Sequence, residues 1–267
     1  YIRTGNFSTI ASKEASKYLK VNIAATTEDS NFDHIPAQEE LVLDPRADYV
    51  HICMNNTIYG SKFPYIPETG AMPLEADLSS CILSEPIDVS KFGLIYAGVQ
   101  KNIAPAGMAV VIIREDLLRE PAPDLPIMLD YKLMADKDSM YNTPNCWCIY
   151  VTGLVLEYIR SIGGVEEMAR RNKKKADLLY GFLDESRLFH AAVWPGSRSM
   201  MNVTFRTGDD TLDAEFVKGA AERGMVNLKG HKKVGGMRAS IYNNMPYEGV
   251  ETLISYLKEF EAAHPAK

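Results

Sequence analysis

Short apolar runs, each closed by a polar or glycine-containing tip, recur along the first 114 residues of the chain. Uniformly apolar runs fit strands covered on both faces, the pattern of a parallel sheet. The clearest are Leu94–Gly98 and Met108–Ile113, read as two buried strands with Lys101 at the turn between them. Comparable runs at Tyr1–Thr4, Val21–Ala25, Leu41–Asp44, Tyr49–Met54 and Pro73–Asp77 are strand candidates, and Gly5-Asn6-Phe7-Ser8 turns the chain into a helix through Ile10–Leu19. Strands alternating with helices predict an α/β fold with a mainly parallel sheet and crossing connections.

The pattern changes after Leu117. A proline-rich stretch, Pro121 to Pro126, leads into an irregular loop through Asn145, and a loop of that length in a compact protein is usually functional or touches a partner. Val151, Leu154, Val155, Tyr158 and Ile162 have helical spacing over Ile149–Ile162, and Gly163-Gly164 stops that helix. A second helix follows from Val165 to about Asp184, with Arg170, Arg171, Lys173, Lys174 and Lys175 read as a solvated face. Strands at Asn202–Arg206, Met225–Leu228 and Met237–Tyr242, with helices at Leu212–Arg223 and Glu248–Ala262, form a smaller α+β unit. The division expected is 1–162 and 163–267.

A hydrophobic share of 46% with 24% charged residues is ordinary for a globular protein, and 267 residues leave room for a substantial core. The net charge of −6 argues against a nucleic-acid binder, which needs a basic face. Cys53, Cys81, Cys146 and Cys148 lack the spacing of a zinc site, so no metal is expected, and they read as free thiols of a reducing cytosol. No run approaches the ~20 apolar residues of a membrane span, and the start does not read as a signal peptide. The chain opens directly on a strand without an initiator methionine, so an N-terminal portion is expected to be lacking here, either fused in the native product or retained as a cleaved partner fragment.

Lys101 follows one strand and Asp77 ends another, which places an amine and a carboxylate at the edge where α/β sheets bind ligands. That pair suits pyridoxal phosphate, which needs a lysine able to lose its proton and form an imine, and an acid to keep the pyridine nitrogen protonated.

The segments Asp77-Leu78-Ser79-Ser80, Pro86-Ile87-Asp88-Val89-Ser90-Lys91-Phe92-Gly93, Tyr96-Ala97-Gly98-Val99-Gln100-Lys101-Asn102 and Pro105-Ala106-Gly107 closely resemble the phosphoserine aminotransferase family, fold-type I enzymes among the class V aminotransferases. The resemblance reaches both ends of the chain. It implies that Lys101 and Asp77 are catalytic and hold the cofactor, with Gln100, Thr57 of Asn55-Asn56-Thr57, and Phe7 as further cofactor contacts. Phe7 stands where the family usually has tryptophan, and it keeps a flat face for stacking while losing the indole donor. It implies a homodimer, in which Asn142 and Thr143 of Asn142-Thr143-Pro144 reach the cofactor phosphate of the other subunit; Asn145 replaces a second proline there. His231 and Lys232 of Lys229-Gly230-His231-Lys232 match the substrate-phosphate motif, with lysine in place of the family's arginine, and Arg238 matches the arginine for the substrate α-carboxylate. The expected reaction moves an amino group from glutamate to 3-phosphohydroxypyruvate, giving phosphoserine and 2-oxoglutarate. The competing readings are another class V aminotransferase, of the alanine–glyoxylate or serine–pyruvate type, and a non-catalytic fragment.

Overall fold

The computed structural model describes residues 1–264. In chain order the elements are β1 (Ile2–Arg3), α1 (Asn6–Ala15), β2 (Ala25–Thr26), β3 (Val50–Cys53), β4 (Leu74–Asp77), β5 (Leu94–Gly98) and β6 (Ala109–Ile113). They continue with α2 (Tyr131–Asp136), α3 (Cys146–Ser161), α4 (Gly164–Glu185), β7 (His190–Ala191), β8 (Asn202–Arg206), α5 (Asp210–Glu222), β9 (Met237–Ser240) and α6 (Tyr247–Ala263).

The strands β3, β4 and β5 run parallel, and β6 joins β5 antiparallel at the sheet's end. Pairing Cys53 with Asp77, and Asp77 with Tyr96, aligns the strands so that their polar tips open on one edge. Ile52, Leu74, Ala76, Ile95 and Ala97 are buried with Ile2 in a core on this sheet. Each large aliphatic chain there contributes about 1.5–3 kcal/mol, which holds the strand ends in place. A second core lies on the antiparallel sheet β7–β8–β9, where α4, α5 and α6 bury Leu179, Phe216 and Leu257 against Val203 and Phe205. Phe216 meets Phe189 and Phe260 edge-on, with ring centroids 5.1 and 5.3 Å away. The fold is the expected α/β arrangement with a smaller α+β part.

Several expectations are corrected. β6 is not covered on both faces: Ala109, Val111 and Ile112 are exposed, because the strand has a neighbour on one side only. Leu41–Asp44 forms no strand, and of the run at Val21–Ala25 only Ala25 enters one, pairing with Ile2. Within the long loop Asp130 accepts from the amide of Leu133 at 3.0 Å and starts the short helix α2. Met225–Leu228 is not a strand: Asn227 is left-handed at φ 63° and Val226 is 68% exposed. The spaced apolar residues of α3 are largely exposed or half-buried, and Cys148 and Ile159 are its buried positions. Lys175, placed on the solvated face, is buried. Asn145 caps α3, its Oδ1 accepting from the Cys148 amide at 3.1 Å, so this departure from proline has a structural use. All four cysteines are free. No single helix among the described residues is long and apolar enough to cross a membrane; α3 and α4 pass only as a pair bent by 83°.

Candidate active site

Lys101 lies in the turn after β5, with its stem half-buried. Its Nζ donates to Thr57 Oγ1 at 2.8 Å, and Phe7, in the first turn of α1, presents its ring 5.6 Å from that nitrogen. Burial lowers the Lys101 pKa; Asp77 opposes that shift, Arg238 adds to it, and the buried Cys53 and Cys81 weakly oppose it. The result is an amine partly prepared to lose its proton.

Asp77 ends β4, where Oδ1 accepts from the Ser79 amide at 2.8 Å and Oδ2 lies 3.9 Å from Cys53 Sγ. The Cys53 thiol is pushed well up, by burial first and by Asp77 second, so it stays protonated beside the Asp77 carboxylate.

Thr57 joins the two halves of the site. While its hydroxyl accepts from Lys101, its carbonyl accepts from Arg238 Nη1 across 3.5 Å. Arg238 sits on β9, and its Nε is buried with no hydrogen-bond partner. A buried, unsatisfied guanidinium N–H is costly, and here it marks a place for an anionic group.

The loop before β9 carries His231, Lys232 and Lys233. Gly230 lets this loop close: its amide donates to Gly236 O at 2.8 Å, and a Cβ there would fall 1.9 Å from Gly235 O. His231 follows, half-buried, with its pKa lowered by partial burial and by Arg238, Lys232 and Lys233. Lys232 is exposed, and Lys233 donates to Asn6 Oδ1, which ties the loop to the start of α1 beside Phe7.

Sequence reasoning missed a buried polar frame beneath these groups. Asn55 Nδ2 donates to Ser80 Oγ at 2.7 Å and Asn202 Oδ1 at 2.9 Å, while Asn202 Nδ2 reaches Ser240 Oγ and Tyr242 OH at 3.1 and 3.2 Å. Tyr242 also approaches Thr57 and Arg238. The available signal was an asparagine, Asn202, opening the strand candidate Asn202–Arg206. Close approach matters here too, since a Cβ on Gly5 would lie 2.5 Å from Asn56 Oδ1.

The structure therefore brings together Lys101, Thr57, Phe7 and Arg238, with Asp77 acting on Lys101 through its charge. It does not bring in Gln100, which is exposed with its carboxamide over Gly98. Asn142 and Thr143 are also exposed, and Asn142 Nδ2 contacts Met128 Sδ at 3.0 Å.

A lysine after a central strand, an acid at the neighbouring strand end and a half-buried arginine define a class of protein: the aminotransferases of class V, whose family model matches residues 3–253. Within that class the chain belongs to the phosphoserine aminotransferase family. It is 52% identical over 264 residues to the phosphoserine aminotransferase of Pseudomonas putida, covering 99% of this chain and 73% of that protein. Among solved structures it superposes on the phosphoserine aminotransferase from Bacillus circulans subsp. alkalophilus with a TM-score of 0.97 at 44% identity, covering 99% of this chain and 74% of that one. It also matches the phosphoserine aminotransferase from Trichomonas vaginalis, a structure with PLP bound, at TM-score 0.89 and 36% identity over 97% of this chain and 74% of that one.

Proposed function

We propose that this chain is a pyridoxal-phosphate-dependent phosphoserine aminotransferase, acting on glutamate and 3-phosphohydroxypyruvate. The observation that carries the reading is the Lys101–Thr57–Arg238 arrangement: a partly desolvated amine on one side of Thr57, and on the other a half-buried arginine whose buried Nε–H is unsatisfied. The residues fit the cofactor, with a lysine to attach it, an acid for its pyridine nitrogen, a flat exposed ring to stack on it and a hydroxyl beside the lysine.

When bound, pyridoxal phosphate supplies an electrophilic aldehyde and an electron sink. Lys101 would hold it, Asp77 would keep the ring nitrogen protonated, Phe7 would cover one face and Thr57 would contact it beside the lysine, while Gln100, exposed here, would reach it only by turning in from Gly98. Lys101 Nζ would serve as the base at the substrate Cα, holding the proton it takes there for delivery to the other side of the transferred nitrogen. Its lowered pKa suits that work, because a base is most effective when its pKa lies near the working pH. Arg238 clamps the substrate carboxylate through its planar fork and so fixes which Cα bond faces Lys101. His231 and Lys232 are assigned to the substrate phosphate, and the surface position of Lys232 suits a charged, solvated group.

We further assign Asn142 and Thr143 to a dimer partner's site, since in this chain they contact none of the site residues. Residues 1–162 are taken as the large domain and 163–267 as the small one, and the cytoplasm is assigned as the reducing compartment that suits four free cysteines. A visible absorption band on adding pyridoxal phosphate, changed by glutamate and lost in Lys101→Ala, is the expected result. A chain that binds no cofactor in this way refutes the reading.

A further inference from the structure

Of the basic residues on α4, Lys175 has left the solvent and is 2% exposed. Its Nζ shares three N–H donors among four backbone carbonyls, those of Ile241, Tyr242, Asn243 and Met245, at 3.2, 2.8, 3.3 and 3.0 Å. Burial pulls its pKa down to about 8. An ammonium taken out of water costs several kcal/mol unless hydrogen bonds replace its hydration, and an apolar side chain in the same place would avoid that cost but leave the facing carbonyls unpaired. What the lysine adds is one nitrogen on which four carbonyls of a short turn converge.

That turn reaches the active site. The Asn243 amide donates to Asn102 Oδ1 at 3.1 Å, and Asn102 Nδ2 donates to Ile82 O at 3.0 Å, which fixes the residue next to Lys101. The Asn243 side chain is itself held, donating to Leu83 O at 3.0 Å and accepting from Asn172 Nδ2 at 2.8 Å. Tyr242, Asn244 and Met245 of the turn form one wall of a cavity of ≈ 360 Å³ whose lining includes Lys101.

We propose that Lys175 is a positioning residue for Lys101: its ammonium locks the 241–245 turn, and the turn holds Asn102 and the wall facing the Lys101 side chain. The proposal rests on the reading of Lys101 as the cofactor lysine, but it is tested apart from it. Lys175→Met keeps the stem and removes the donors, while Lys173→Met, at an exposed pair with Asp177, is the control. Competitive labelling of the cofactor-free full chain with acetic anhydride over a pH series, read at Lys101 by peptide mass spectrometry, reports that amine's titration without turnover. Lys101 faces Asp77 on β4, Cys53 on β3, Cys81 beyond β4 and Arg238 on β9, and burial outweighs them all. A loosened turn that admits water therefore moves the Lys101 midpoint up relative to the control. In the cofactor-loaded enzyme, kcat falls about tenfold or more while KM for glutamate stays within about twofold, as expected for lost alignment.

An unchanged or lowered Lys101 midpoint in folded Lys175→Met overturns the proposal. Should that variant fail to fold, Lys175→Arg decides, because a planar fork cannot meet four carbonyls converging on one nitrogen. Its Lys101 midpoint is expected to rise, and a midpoint equal to the parent's overturns the proposal. Failure of the parent chain to bind cofactor would count against the reading of Lys101 and leave the labelling result intact.

Discussion

Replacing Arg238 with methionine separates stability from binding. In the ligand-free protein the Arg238 Nε–H is buried without a partner, and the nearest bond of the group, Nη1 to Thr57 O, is long at 3.5 Å. An unsatisfied buried donor costs about 1–3 kcal/mol. A carboxylate laid along the guanidinium satisfies it through two charge-assisted hydrogen bonds, each about 1.5–3 kcal/mol. Methionine keeps most of the stem's volume and removes the orphaned donor. Without ligand, the unfolding free energy should hold or rise, by up to about 1–2 kcal/mol once some lost packing is deducted. Glutamate binding should weaken by about 3–6 kcal/mol, which is on the order of 10²- to 10⁴-fold. Urea unfolding measures the first quantity, and a glutamate titration followed through the cofactor's absorbance measures the second. If the variant loses more than about 1 kcal/mol without ligand, or binds glutamate within about threefold of the parent, the argument from the orphaned donor fails.

Changing both His231 and Lys232 to alanine should raise KM for the phosphorylated keto acid about tenfold or more and leave a non-phosphorylated one within about twofold; equal effects on both would point to the alanine–glyoxylate or serine–pyruvate type of activity. Burial pushes the Glu75 carboxyl up to about 7 from an ordinary 4.5, so between those values the folded chain keeps a proton that the unfolded chain has released, and stability falls as pH rises. His51 has the opposite slope: burial holds it down to about 4 from 6.5, and stability is lost as pH falls through that window. Glu75→Gln should therefore steepen the loss on the acid side and stabilise the protein at pH 8 by about 1–3 kcal/mol in urea unfolding. Asn55→Ala strands two buried groups, the Asn202 Oδ1 acceptor and the Ser199 hydroxyl donor, and should cost about 2–6 kcal/mol, part of which a second change, Ser199→Ala, restores.

Much of the site was legible because its chemistry needs particular residue types at strand ends. Lys101 and Asp77 follow apolar runs, and a strand's length fixes where its last residue points, so linear order was enough to place them at one edge. Arg238 and Thr57 were named through family resemblance, yet that they meet across one threonine, hydroxyl to lysine and carbonyl to arginine, depends on two sheets far apart in sequence. Exposure was the least legible property. Val111 and Ile112 are as apolar as Ile95, and nothing in the run tells an end strand from a central one.

The order of elements, the lysine turn and the class of chemistry were determined by the sequence itself, because hydrophobic period and residue type are local properties. Tertiary structure alone decided which groups lose water and what replaces it. Lys175 stands in a run of exposed cations and differs from them only in having four carbonyls converge on it, and those carbonyls come from a turn some seventy residues away. Desolvation depends on what the rest of the chain packs against a side chain, and no local pattern carries that information.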